Sequence, residues 1–182
     1  MSETTLQPEV SSYKQMQKES GRCTSHWKGD VSDHPDWMTD GYIAINTNSV
    51  ENKKYMNLLR NKKQGDRDVE HKSIERVLKD AYTPKLLPAD FQTYIKIPDT
   101  YYPLKAIYRV KNSTKDIQYN AYYVSIISKL LGCPIETLLV NNEDLSSSSV
   151  FYRYAGFKDL GLPPDALIMP FGPSRDTTKE IE

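Results

Sequence analysis

The stretch that decides the fold reads YNAYYVSIISKLLG and spans residues 119–132. Its apolar residues recur at positions i, i+3, i+4, i+7 and i+8, which places them in one stripe along a helix. These residues are Tyr123, Ile126, Ile127, Leu130 and Leu131. Asn120 can cap the first amides of such a helix, and Gly132 can take the left-handed turn that ends it. The sequence therefore predicts an amphipathic helix between Asn120 and Gly132.

Short apolar segments flank this helix on both sides, and each is bounded by Pro, Asn or Asp residues that favour turns. They are residues 116–119 before the helix and residues 135–140, 150–154 and 166–169 after it. In the third of them, Val150, Tyr152 and Tyr154 share one face, as the two-residue period of a strand requires. The predicted order is therefore strand, helix, strand, strand, strand.

This order and two local phrases resemble the closing half-domain of bacterial DNA polymerase sliding clamps. The first phrase, Tyr119-Asn120-Ala121-Tyr122-Tyr123, is similar to the aromatic-Asn-x-x-Tyr phrase that opens a helix in that family. The second, Leu167-Ile168-Met169-Pro170-Phe171, is similar to the apolar strand on which the family's chains end. The resemblance implies an α+β, DNA-clamp-like domain made of two β-α-β-β-β-type half-units, with the helices packed on a curved antiparallel sheet.

The first half of the chain has the same kinds of element. We expect a strand over residues 42–46, a helix from Val50 to about Lys63 capped by Asn48 or Ser49, and a second helix over residues 71–82. Pro88 and Pro98 bracket a predicted strand over residues 91–97, in which Phe91, Thr93 and Ile95 share a face. Residues 104–110 alternate as another strand.

These elements divide the chain into three parts. Residues 23–172 are expected to form a single clamp-like domain, with half-units at about 40–111 and 116–172. Residues 1–22 are polar, which is typical of a disordered arm, and residues 173–182 read as a mobile tail.

Composition limits the classes of function. Lys plus Arg and Asp plus Glu both number 24 in a chain of 182 residues, so attraction to nucleic acid needs a local basic patch. No apolar run approaches the ~20 residues of a membrane span, and the first residues lack the features of a secretory signal. The two cysteines, Cys23 and Cys133, have no paired spacing, which favours a reduced, cytoplasmic protein.

Residues 23–40 collect several potentially reactive side chains, including His26, His34 and two tryptophans. A small hydrolase or metal-dependent enzyme working through His26 and His34 is one interpretation. Their spacing matches no recognised set of metal ligands, so we predict no metal, no other cofactor and no catalytic residue. In the plainer interpretation His34-Pro35-Asp36 is a turn and the tryptophans cover an end of the core.

The resemblance also implies two binding surfaces. In sliding clamps, basic side chains on the helices meet DNA phosphates without reading bases, and such contacts are salt-sensitive. The matching residues here are Lys53, Lys54, Arg60, Lys62, Lys63, Arg76, Lys79 and Lys129. The alternative is that these residues form a solvated helix face.

The second implied surface is a pocket for short peptides of polymerases and other replication proteins, walled by the terminal apolar strand. Its residues would be Leu167, Ile168, Met169, Pro170 and Phe171. The alternative is a plain core strand in which Leu167 and Met169 are buried on one face.

The implied function is that of a non-enzymatic, clamp-like replication accessory or interaction protein, of phage or mobile-element origin, that contacts DNA or a replication protein. A homo-oligomer is possible, since a ring would need about six copies of a one-domain chain. An interaction protein unrelated to DNA is the remaining alternative.

Overall fold

A computed structural model of the chain describes residues 30–31, 34–39, 42–60, 86–96, 104–154 and 156–171. Within these ranges it contains the strands β1 (Asp30–Val31), β2 (His34–Thr39), β3 (Ile43–Asn46), β4 (Leu86–Lys96), β5 (Leu104–Val110), β6 (Asp116–Asn120), β7 (Thr137–Asn141), β8 (Ser149–Phe151) and β9 (Ala166–Ile168). The helices are α1 (Lys53–Arg60), α2 (Ala121–Leu131) and α3 (Gly156–Asp159), and a 3-10 turn covers Thr47–Ser49. No helix in the described ranges has both the length and the apolar character to cross a membrane.

The helix predicted from residues 119–132 is α2, and the residues that the sequence indicates fix both of its ends. The Asn120 side chain accepts a hydrogen bond from the Tyr122 N–H at 3.0 Å, which satisfies one of the free amides of the first turn. Gly132 ends the helix at φ 72°, in the left-handed region. The whole predicted apolar stripe of α2 is buried.

The nine strands form one antiparallel sheet in the order β1-β2-β3-β9-β8-β7-β4-β5-β6. The β4–β7 pair joins the two halves of the chain, and β4 and β7 are the first described strands after α1 and α2 respectively. At the two sides, β3 lies next to β9 and β6 lies next to β5. The strands that precede α1 and α2 are thus each paired with the last strand of the other half.

The sheet is strongly curved. In the strand order β6 lies five spacings from β9, which would be about 24 Å in a flat sheet. Phe171 lies three residues beyond β9, a reach of about 10 Å. Its N–H nevertheless donates to the Gln118 carbonyl of β6 at 2.9 Å. The two strands can meet in this way only if the intervening sheet curls around the core.

Both faces of this sheet carry apolar clusters. The larger cluster contains α2, the α1 residues Tyr55, Met56 and Leu59, and one face of the sheet. Both helices therefore lie on the same face. A smaller cluster on the other face includes Trp37, Tyr152 and Leu167, with Phe157 of α3 packed against it. Phe151 belongs to the larger cluster and Tyr152 to the smaller one, as the predicted alternation requires.

The expectations for β4 need two corrections. The strand begins at Leu86, five residues before the predicted start, so Pro88 lies inside it. The Pro88 carbonyl accepts from the Lys111 N–H, and the Pro88 nitrogen lies on the same side of the strand, toward β5. The pairing of β4 with β5 ends at Val110, so the missing N–H of Pro88 breaks no bond of that ladder. A register shift between Phe91 and Thr93 makes Gln92 a bulge. Tyr94, rather than Thr93, consequently shares the core face with Phe91.

Three local predictions are also corrected. The segment His34-Pro35-Asp36 belongs to strand β2 rather than to a turn, because it pairs back along β1. Helix α1 begins at Lys53, and its cap is Asn52, whose side chain accepts from the Tyr55 N–H at 3.1 Å. Strand β8 ends at Phe151, which leaves Tyr154 outside the strand and 59% exposed.

Some predictions lie outside the described residues. They are the arm over residues 1–22, the helix over residues 71–82 and the tail over residues 173–182. Within the described ranges, the first half-unit is strand, helix, strand, strand, and the second is strand, helix and three strands.

Candidate functional site

The face of the sheet that carries α1 and α2 is here called the helix-bearing face. It presents Lys53 and Lys54 in the first turn of α1. Both side chains are exposed, and this turn contains no acidic residue. Cations at a helix N-terminus oppose the positive end of the helix dipole, at a cost of about 0.3–1 kcal/mol each. The Lys53 ammonium donates to the Thr47 carbonyl at 3.0 Å, which offsets part of that cost. The first turn of α1 is thus an electropositive point on the surface.

Lys129 of α2 joins the same face. Its Nζ lies 4.7 Å from the ring centroid of Tyr55 in α1, within range of a cation–π interaction. Tyr55 directly follows Lys54 in the chain, so Lys129 lies close to the first turn of α1. Two adjacent helices therefore bring Lys53, Lys54 and Lys129 to one region.

A cluster of hydrogen bonds and one ion pair, here called the joint, holds the N-terminal end of α1 against the C-terminal end of α2. The Leu130 carbonyl accepts from the Glu51 N–H at 3.0 Å and from the Asn52 N–H at 3.1 Å. Arg153 donates to the Ser49 carbonyl at 2.7 Å and forms an ion pair with Glu51 at 2.8 Å. It also donates to a terminal carbonyl of α2, at Leu131.

Buried Asp165 supports this joint from the strand side. Its carboxylate accepts from the Ser49 hydroxyl and from the Arg153 N–H, each at 2.5 Å. The side chain of a buried acid is stable when its oxygens are occupied in this way. The position of the lysine-bearing turn thus depends on contacts with residues that follow β8 and precede β9.

Cys133 lies beside this joint but is not an activated nucleophile. Burial raises the pKa of its thiol above the ordinary value, and this outweighs the lowering by nearby Arg153. A thiol that stays protonated near neutral pH reacts slowly, because the thiolate is the nucleophile.

The predicted peptide pocket splits into buried and accessible parts. Leu167 and Ile168 are buried in the smaller and the larger cluster respectively, so they can only support a surface from beneath. Met169 is 39% exposed, which differs from the expectation that a plain core strand would bury it with Leu167. Pro170 and Phe171 are half-buried. Only these last three residues are placed to contact a partner.

Several predicted site residues receive no placement. Arg60 lies in α1, but its side chain is not described, and Lys62, Lys63, Arg76 and Lys79 lie outside the described residues. The same holds for His26 and for the side chain of His34. Within the described part of the chain, no group of three or more His, Cys, Asp or Glu side chains is arranged to hold a metal ion.

Sequence reasoning missed two surface features. Lys105 of β5 lies over the Phe171 ring, with its Nζ 5.2 Å from the ring centroid. This contact joins distant parts of the chain, and no local pattern signals it. Near α3, Tyr154, Leu160 and Leu162 are exposed. Their apolar character was visible in the sequence, but the early end of β8 was not.

Comparisons of the chain with protein-family models, with curated proteins and with solved structures find no match. The resemblance to sliding clamps thus gains no support from relatives.

Proposed function

We propose that the chain is a non-enzymatic, clamp-like replication accessory protein whose helix-bearing face contacts duplex DNA. One observation carries the proposal: α1 and α2 pack on the same face of a curved antiparallel sheet, and each follows a strand that pairs with the other half. The sliding-clamp resemblance implies helices packed on a curved antiparallel sheet. It supports assigning the helices, rather than the outer face of the sheet, to DNA.

The chemistry of this face suits phosphate rather than base contacts. Lys53 and Lys54 are exposed on a helix surface, and a lysine acts as a point charge without the geometry that reads a base edge. Each phosphate neutralised releases condensed counterions, so binding should weaken steeply with salt. Such contacts are compatible with movement along the duplex.

The test is the salt dependence of binding to a random-sequence duplex, measured by fluorescence anisotropy. We expect the double variant Lys53→Gln, Lys54→Gln to bind more weakly at low salt. The magnitude of the slope of log K against log salt concentration should decrease by up to about two, because each lost phosphate contact lowers that magnitude by about one.

The matched control is Lys111→Gln, Lys115→Gln, which removes the same charge from the exposed β5–β6 hairpin. This control should keep the wild-type slope. The proposal fails if the wild-type chain does not bind duplex DNA at low salt, or if the two double variants lose the same amount of slope.

A second part of the proposal concerns a protein partner. Met169, Pro170 and Phe171 form a surface of adaptable apolar side chains, and methionine suits contact with varied partners. We assign this surface to a short apolar peptide of a polymerase or another replication protein. Peptide binding that Met169→Ser leaves unchanged would exclude it.

An interaction protein unrelated to DNA is the second candidate function. The observation in its favour is the exposure of Tyr154 (59%), Leu160 (70%) and Leu162 (43%) near α3, on the other side of the sheet from the lysines. Equal numbers of acidic and basic residues also give the whole chain no net attraction to DNA. Failure of the DNA test would leave this candidate in place.

A further inference from the structure

Strand β6 has a paired neighbour on one side only within the described sheet, because it is the last strand of the order. The bonding pattern shows which groups face outward. The Val110 N–H donates to the Lys115 carbonyl, so these two opposite residues form a hydrogen-bonded pair. Along two antiparallel strands, every second pair of opposite residues is hydrogen-bonded. In the register of β5 and β6, Ile117 and Tyr119 are then bonded to β5. The N–H and C=O of Gln118 consequently point away from it.

The chain after β9 covers this outward side. Residues 169–171, here called the edge strap, begin as a continuation of β9, where the Met169 N–H donates to the Tyr42 carbonyl at 2.9 Å. Two residues later the Phe171 N–H donates to the Gln118 carbonyl at 2.9 Å. Lys105 lies over the Phe171 ring at 5.2 Å and holds the strap from the neighbouring strand.

An uncovered strand edge is a template for pairing with another chain. The sequence of β6 is suited to pairing with a second copy of itself. An antiparallel register centred on Gln118 places Asp116 opposite Asn120 and Ile117 opposite Tyr119 of the other copy. No like charges face each other, and the two apolar residues meet on one face. Such a contact is isologous and closes as a dimer.

We propose that the outer edge of β6 is a self-pairing surface and that the edge strap holds it shut. With the strap in place the chain is a monomer. Displacement of the strap exposes Gln118 and allows two copies to pair through β6. Neither DNA nor the lysines of α1 enter this mechanism, so it stands or falls separately from the proposed DNA contact. The strap shares its residues with the proposed peptide surface, but the bond from the Phe171 N–H to Gln118 is a main-chain contact, which Met169→Ser leaves in place.

The experiment measures mass in solution by sedimentation equilibrium across a range of protein concentrations. Phe171→Pro removes both the N–H that bonds Gln118 and the ring under Lys105. We expect the wild-type chain at the monomer mass and this variant at a mass that rises with concentration toward twice that value. The double variant Lys105→Gln, Phe171→Ala keeps the N–H and weakens only the ring contact, so its association should be weaker. If Phe171→Pro does not fold, the association of this double variant tests the proposal instead.

The edge itself is tested by adding Gln118→Pro. The Gln118 N–H points outward, so proline costs no bond to β5, whereas its ring blocks an incoming strand. This addition should return Phe171→Pro to the monomer mass, and Asn142→Ala, a change of an exposed residue just after β7, should have no effect. A wild-type dimer, a folded but monomeric pair of strap variants, or association that persists with Gln118→Pro would each overturn the proposal.

Discussion

At the scale of single residues, the hydroxyls of buried tyrosines join strands to distant parts of the chain. The Tyr108 hydroxyl donates to the Ile135 carbonyl at 2.5 Å, and the Tyr119 hydroxyl shares a hydrogen bond with the Ser149 hydroxyl. Burial raises the pKa of Tyr94 to about 12 and raises the pKa values of Tyr108 and Tyr119 further. These phenols therefore stay protonated in the fold at a pH where they would ionise in the unfolded chain.

We expect the free energy of unfolding to fall as pH rises above about 10. A raised folded-state pKa contributes stability that is fully present below the unfolded pKa and is lost as pH rises toward the folded value. Each such tyrosine adds a slope of about 1.4 kcal/mol per pH unit in that window. We therefore measure the free energy of unfolding in urea between about pH 10 and about pH 11.5. The Tyr108→Phe variant should lose less of this free energy per pH unit than the wild type, by about 1.4 kcal/mol.

Tyr108→Phe also costs stability at neutral pH, because the Ile135 carbonyl loses its partner. That loss should be on the order of 1–2 kcal/mol. It is a constant offset and does not alter the slope, so the two effects separate. An unchanged slope in the variant would contradict the assignment of a raised pKa to Tyr108.

At the scale of elements, α2 and α1 meet end to end. Gly132 ends α2 at φ 72°, and a Cβ placed there would lie 3.3 Å from the Glu51 Cβ just before α1. Gly161 has nearly the same φ, 70°, but a Cβ there would meet no atom within 4 Å. The two glycines therefore separate backbone strain from crowding at the joint.

Gly132→Ala should be more destabilising than Gly161→Ala. Both variants carry the left-handed strain of roughly 1–2 kcal/mol. Only the first must also shift Glu51, the ion-pair partner of Arg153, by a few tenths of an ångström. Urea unfolding measures the difference in free energy. Equal losses would mean that the joint yields freely and does not fix the lysine-bearing turn of α1.

The same elements show what a sequence pattern can reveal. The whole of α2, including its cap and its end, was predicted because the signals lie within one short segment. The sequence also predicted the alternation of β5, in which Ala106, Tyr108 and Val110 all face the larger cluster. Both cases depend only on local periodicity.

The errors arise where pairing overrides local signals. Gln92 bulges because β5 sets the register, and nothing in the alternation of residues 91–97 indicates it. Pro88 reads as a strand breaker, yet its nitrogen points past the end of β5 pairing. The joint of Arg153 with Ser49 and Glu51 connects segments about a hundred residues apart in the chain, where periodicity carries no information.

At the scale of the whole molecule, the curl of the sheet brings β6 against β8 and the end of β9. The Tyr119–Ser149 hydrogen bond spans this closed interior at 2.5 Å, although four strand spacings separate β6 from β8 in the sheet order. It is therefore a direct probe of curvature.

A double-mutant cycle of Tyr119→Phe and Ser149→Ala should give a coupling energy on the order of 1 kcal/mol, measured by urea unfolding. The reference is a cycle on the exposed Arg109–Asp116 ion pair, which joins adjacent strands and should give a weaker coupling that fades with added salt. The buried coupling should persist in salt. A coupling near zero for Tyr119 and Ser149 would argue against the closed curl.

The position of β9 has a consequence for how the chain folds during synthesis. Within the described residues, this three-residue strand, Ala166–Ile168, is the only strand that pairs the group β1, β2 and β3 with the rest of the sheet. A ribosome must therefore have released the chain as far as Ile168 before β1, β2 and β3 can pair with the other strands of the sheet. Such late, distant pairing slows folding and leaves a nascent intermediate with unpaired strands, which makes it a natural client for chaperones.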